Sequence, residues 1–105
     1  MITVCAVDDL PAGESVRLPG DTPIAVFNAD GELYAIDDTC SHQDASLSEG
    51  WLEGCFVECP LHAATFDLRT GVPTCLPAKK AVRTYPVVVE DGMIYVDTRV
   101  REPVA

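Results

Sequence analysis

Positive charge is scarce in this chain and nearly absent from its first two thirds. Seven Lys and Arg stand against seventeen Asp and Glu, giving a formal net charge of −10 and a pI of about 4.3. Residues 1–68 hold thirteen acids and one base, Arg17, whereas residues 69–105 hold six bases and four acids. Such a chain has little to offer nucleic-acid phosphates, which are bound by Lys and Arg. An anionic membrane surface would repel it. Acidic charge favours solubility and steers encounters with basic partners.

Other absences exclude further classes. No apolar run approaches the roughly 18 residues of a membrane span. Met1-Ile2-Thr3-Val4 has no basic stretch and acids follow at Asp8 and Asp9, so no secretory signal is expected. The five cysteines are odd in number and irregularly spaced, which makes a poor disulfide framework. A reducing cytoplasm is the expected setting. There is no helical period, no internal repeat, no glycine-rich dinucleotide fingerprint and no 2-His-1-carboxylate iron site. Hydride transfer and oxygen activation are therefore not expected of this chain alone.

What is present is strand pattern at both ends. Residues 2–7, 15–18, 24–27 and 33–36 read as strands, the last two joined by the tight-turn pair Asp30-Gly31. Residues 81–85, 87–89 and 93–96 read likewise, with Asp91-Gly92 as a second hairpin turn. Pro86 cannot donate to a ladder and predicts an edge or a bulge. Between the two ends the chain turns to Gly, Ser, Asp, Pro and Cys, with little apolar material for a core of its own. A segment of that kind needs a metal staple or serves as functional loop. The expected architecture is all-β. Residues 1–105 form a single domain, a small antiparallel sandwich or barrel from about 1–37 and 78–105, with a loop-rich subdomain inserted at about 38–77.

That insert holds both histidines of the chain. Cys40-Ser41-His42 and Cys59-Pro60-Leu61-His62 each offer one thiolate and one imidazole. Zinc takes two Cys and two His in a tetrahedron. A [2Fe–2S] cluster can take two Cys on one iron and two His on the other. Zinc fingers usually group like ligands, as C-x2–4-C and then H-x3–5-H, whereas here each tract pairs unlike ones. Two loops of this kind can set both thiolates on an inner iron and both imidazoles on an outer one.

The C-x-H and C-x2-H tracts resemble the Rieske family. Leu47-Ser48-Glu49-Gly50, Val57–His62, Arg69-Thr70-Gly71 and Leu76-Pro77-Ala78 resemble the bacterial Rieske ferredoxins that serve multicomponent aromatic-ring dioxygenases, a likeness covering about residues 2–98. The resemblance implies one [2Fe–2S] cluster held by Cys40, His42, Cys59 and His62. It also implies a third, proline-bearing loop around Pro77 that covers the cluster. The implied function is soluble electron transfer by a monomer. A flavin-dependent, NADH-dependent ferredoxin reductase would be the donor and a terminal Rieske oxygenase the acceptor. An electron-transfer subunit of another redox system, such as nitrite reductase, and a zinc-stapled interaction module are the alternatives. Gln43, Leu61 and Pro77 are expected to flank the imidazoles and form a small docking rim.

Departures from the family sharpen this. Respiratory Rieske proteins carry an extra bridged cysteine in each loop; the matching positions are Ala45 and Leu61. The residues that donate hydrogen bonds to sulfur there, a Ser and a Tyr, are matched by Ala64 and Phe66, neither of which can donate. Without those donors the added electron is less stabilised, and the potential should lie low in the Rieske range of roughly −150 to +300 mV. Two ferric ions, two sulfides and two thiolates sum to zero charge, so reduction is still easier than for a four-cysteine cluster. Cys5, Cys55 and Cys75 are read as structural thiols, Trp51 as core filling, and Gly54 and Gly71 as turn residues.

Overall fold

Asp30-Gly31 and Asp91-Gly92 both adopt left-handed backbone, with φ of 54° and 96° in the first pair and 52° and 77° in the second. Two-residue hairpins need this conformation to match the right-handed twist of their strands. The computed structural model describes residues 2–20, 22–39, 46–59, 65–73 and 82–98. Within them the strands are β1 (Ile2–Ala6), β2 (Ser15–Leu18), β3 (Ile24–Ala29), β4 (Glu32–Asp37), β5 (Trp51–Glu53), β6 (Phe56–Glu58), β7 (Thr65–Asp67), β8 (Thr84–Tyr85), β9 (Val87–Glu90) and β10 (Met93–Val96). Three antiparallel sheets result, ordered β1-β10-β9, β2-β3-β4-β8 and β5-β6-β7. Among the described residues no α-helix occurs; Val7–Asp9 and Leu47–Glu49 are single 3-10 turns.

The β3–β4 hairpin is the centre of the molecule. Its register runs from Ile24 opposite Asp37 to Ala29 opposite Glu32. All six residues of β3 are buried, so both faces are covered. On one face Ile24 and Val26 join Leu10, Ala35, Tyr85, Ile94 and Val96. On the other, Ala25, Phe27 and Ala29 join Ile36, Leu47, Val57, Cys59, Phe66 and Leu68. A near-continuous apolar run such as Ile24-Ala25-Val26-Phe27 suits a strand buried on both sides. Burying each large side chain contributes about 1.5–3 kcal/mol.

Several expectations need correction. The segment expected to have little core of its own forms a three-stranded sheet and supplies Leu47, Val57, Cys59, Phe66 and Leu68, each at most 1% exposed, to a core it shares with β3 and β4. Trp51, expected in the core, is 64% exposed. It lies on an edge strand whose middle residue, Leu52, turns inward while Trp51 and Glu53 turn out. The first strand ends at Ala6, because Val7 turns to donate to the Gly92 carbonyl at 2.9 Å. The expected strand at 81–85 shortens to Thr84–Tyr85, with Ala81 outside the described residues. Pro86 stands between β8 and β9, where the chain leaves one sheet for another.

Candidate metal centre at three loop stems

Segments 40–45, 60–64 and 74–81 lie outside the described residues; the stretches of chain that flank them, their stems, share the inner core. The first stem is the antiparallel bridge between Thr39 and Ser46. Beneath it Asp38, its side chain 2% exposed, is the hub. Its Oδ2 accepts from Ser46 Oγ at 2.7 Å and from Arg17 Nε at 3.0 Å. Its Oδ1 accepts from the Ser48 amide at 2.9 Å, and its carbonyl accepts from the Leu47 amide at 2.6 Å. The Asp38 amide donates to the Pro23 carbonyl at 2.9 Å, tying this clasp to the central sheet. Burial alone would push the Asp38 carboxyl up. The hydrogen bonds from Ser46, Ser48 and Arg17 together outweigh it and hold the group below the ordinary carboxylate value. An isolated buried carboxylate costs several kcal/mol, which explains why so many donors converge here.

The second stem is the β6–β7 hairpin, paired through Glu58 opposite Thr65. Strand alternation turns Val57 and Cys59 inward and Glu58 outward. Val57, Cys59 and Phe66 are each fully buried. The first stem presses against this one at Gly50, where a Cβ would overlap the Glu58 carbonyl oxygen. Only glycine permits that approach. The third stem is closed by the bridge between Phe66 and Pro73 and by the Val82 amide donating to the Gly71 carbonyl at 2.9 Å. Gly71, at φ 76°, is again a place where a Cβ would strike backbone, here the Val82 carbonyl. Leu47, Cys59, Phe66 and Val82 therefore bring all three stems into one apolar cluster.

Of the four expected ligands, Cys59 lies among the described residues; Cys40, His42 and His62 lie outside them. So do Gln43, Leu61 and Pro77, and so do Ala45, Ala64 and Cys75. Cys59 is a free thiol, buried at the root of the 60–64 loop. A shielded thiol at the edge of the apolar core fits a soft thiolate ligand to iron. A donor set of two Cys and two His fits a Rieske-type cluster. Phe66 shares the buried cluster with Cys59 and brings no hydroxyl to the sulfur. Cys5, on β1, and Cys55, in the turn between β5 and β6, are free and half-buried. Burial, and secondarily Asp9, push the Cys5 thiol up, away from a reactive thiolate. The Asp38 clasp was not anticipated. The signal for it was the one base of the first 68 residues, Arg17, which needed a partner.

A family model described as Rieske [2Fe-2S] domain matches residues 1–86. The chain is 52% identical over 103 residues to the 3-phenylpropionate/cinnamic acid dioxygenase ferredoxin subunit of Escherichia coli (strain K12), covering 97% of each. A solved structure described as the complex of reduced oxygenase and oxidized ferredoxin in carbazole 1,9a-dioxygenase contains a chain that matches with a TM-score of 0.88 and 39% identity, covering 90% of both chains. The Sphingomonas yanoikuyae B1 ferredoxin matches with a TM-score of 0.86 and 35% identity, over 92% of this chain and 97% of that one.

Proposed function

Since this chain belongs to the Rieske [2Fe-2S] domain family, whose cluster accepts and returns one electron at a time, we propose that it is the ferredoxin of an aromatic-ring dioxygenase system. It is an electron carrier and not itself a catalyst. Electrons arrive from a flavin-containing, NADH-dependent reductase and leave to a terminal Rieske oxygenase in the cytoplasm. Cys40 and Cys59 supply the thiolates, His42 and His62 the imidazoles, and the loop at Pro77 provides cover. Gln43, Leu61 and Pro77 form the rim where partners meet the imidazoles. Residues 38–77 act as the cluster-binding subdomain of a monomer whose base is 1–37 and 78–105.

One observation carries this reading: the fully buried Cys59 thiol stands where the roots of three loops meet one apolar cluster. Around it this chain's own residues shield the ligand from water and hold the loop roots together. A small docking rim suits a carrier, because redox encounters are weak and short-lived. Among the described residues no helix is long and apolar enough to cross a membrane.

Purified protein tests the reading. A red-brown chain with two irons and two labile sulfides is expected, the content of one [2Fe–2S] cluster. Adding it to a reductase and a terminal oxygenase should restore NADH-driven dioxygenation, and Cys59→Ala should abolish both colour and turnover. A colourless, zinc-loaded protein would overturn the carrier role. Electron delivery to a nitrite reductase but to no oxygenase would reassign the system.

A further inference from the structure

The outward face of the β5–β7 sheet carries an open groove of about 380 Å³ lined by Trp51, Glu53, Phe56, Glu58 and Thr65. Cross-strand register gives this face a repeated motif, an aromatic ring opposite a carboxylate. Phe56 pairs with Asp67, and Trp51 pairs with Glu58. The first pair already holds a guanidinium. Arg69 lies over the Phe56 ring at 5.8 Å from its centroid. Its Nε and Nη2 donate to Asp67 Oδ1 at 3.0 Å and Oδ2 at 2.9 Å. The second pair has the same components, with Glu53 added two residues along β5 on the same face. Among the described residues no cation pairs with Glu53 or Glu58, and the Trp51 indole is 64% exposed.

An exposed tryptophan beside two carboxylates is chemically suited to a guanidinium. The ring face attracts the cation, the carboxylates accept its N–H donors, and Trp and Arg are the residues that dominate protein interfaces. The chain's net charge of −10 agrees, because it favours a basic partner. We propose that this half of the groove receives an arginine side chain from a basic surface of a redox partner protein, its guanidinium over Trp51 and between Glu53 and Glu58. The inference rests on the carrier reading and adds a second anchoring point to it. Glu58 directly precedes Cys59, so a partner held here stands beside the root of the 60–64 loop. The site fixes orientation at the cluster end without touching a ligand.

Trp51 is the chain's one tryptophan, so its fluorescence reports on this groove. The cluster-loaded protein is titrated at low ionic strength with acetyl-Gly-Arg-Gly-amide and with the same peptide carrying citrulline. The arginine peptide should change the emission saturably, with the citrulline peptide at least about fivefold weaker, the factor expected for about 1 kcal/mol of cation–π and charge attraction. Glu53→Gln should weaken the arginine peptide roughly threefold, and high salt should erase the preference. In steady-state transfer, Trp51→Ala should raise the KM for the reductase or the oxygenase about fivefold, and Trp51→Phe should largely restore it. The cluster's visible spectrum and potential should not move in either variant. Equal response to both peptides, or a KM unchanged for both partners, overturns the proposal. An emission change on concentrating the protein alone overturns it too, in favour of a second copy as occupant. Failure of the carrier reading shows as a colourless protein, whereas failure of the groove shows as a coloured protein indifferent to the arginine peptide.

Discussion

The Cys40–His42 and Cys59–His62 tracts each offer one cysteine and one histidine, yet their roots stand on opposite kinds of chemistry. The first is rooted in a polar clasp. Asp38, buried and charged, gathers Ser46, Ser48 and Arg17 by directional hydrogen bonds. The second is rooted in hydrocarbon, with Val57, Cys59 and Phe66 sealed against Phe27 and Ile36 of the central hairpin. A polar clasp fixes angle but depends on charge. Apolar packing supplies most of the free energy, without direction and without response to pH. Leu47 links the two, because its amide is held by Asp38 and its side chain lies in the apolar cluster. The comparison suggests a division of labour, in which the packed stem sets stability and the clasped stem sets loop geometry.

The largest break should come on the packed side. Phe66→Ala removes a fully buried ring and should cost about 3–5 kcal/mol, read by chemical denaturation, with loss of cluster colour before global unfolding. Asp38→Ala should cost less, about 2–3 kcal/mol. It strands the Ser48 amide without its acceptor, but the Ser46 hydroxyl keeps Ser48 Oγ at 2.8 Å and Arg17, with its side chain 48% exposed, regains water. It should also speed cluster loss on incubation by more than its stability cost implies, since it frees the root of the Cys40 loop. A loss of stability with unchanged cluster retention would contradict the division of labour.

The smallest effect should come from the ion pair on the outer face of the packed stem. The Arg69 side chain beside Asp67 holds that carboxyl below its ordinary value. The folded chain therefore binds fewer protons than the unfolded one in acid. The pair's contribution is full above the ordinary carboxylate pKa of 3.8 and is lost as pH falls through the lower folded value. Arg69 is exposed, so water screens the pair. Denaturation profiles of Arg69→Ala and the parent should converge in acid and differ slightly at neutral pH; a large difference at neutral pH would mean that charge, too, holds the packed stem.

The hairpins were legible because Asp30-Gly31 and Asp91-Gly92 announce left-handed turns between apolar runs, and Ser15–Leu18 and Met93–Val96 fall where the pattern placed them. The β5–β7 sheet was not. Strands of three residues are too short to show a period of two, and their polar outer residues read as loop. Trp51 was misplaced for that reason: nothing in the local sequence marks β5 as an edge. Cys59 was singled out by motif spacing alone; its full burial just after β6 was not legible, because a cysteine beside Pro60 reads as loop. The Asp38 clasp was hidden because its parts look like solvated loop residues, and Arg17 reaches it from 21 positions away. The role of Gly50 was not legible, since a glycine needed for close approach to Glu58 has no mark distinguishing it from a turn glycine.

A Rieske carrier with Ala64 and Phe66 where hydrogen-bond donors to sulfur could stand should hold its electron at low potential. A redox titration followed by electron paramagnetic resonance, on the parent and on the Ala64→Ser/Phe66→Tyr double variant, tests it most directly. The expected result is a one-electron wave near the low end of the roughly −150 to +300 mV Rieske range, unchanged across neutral pH, and shifted upward in the double variant. A parent potential near the upper end, or a double variant that leaves it unmoved, would contradict it.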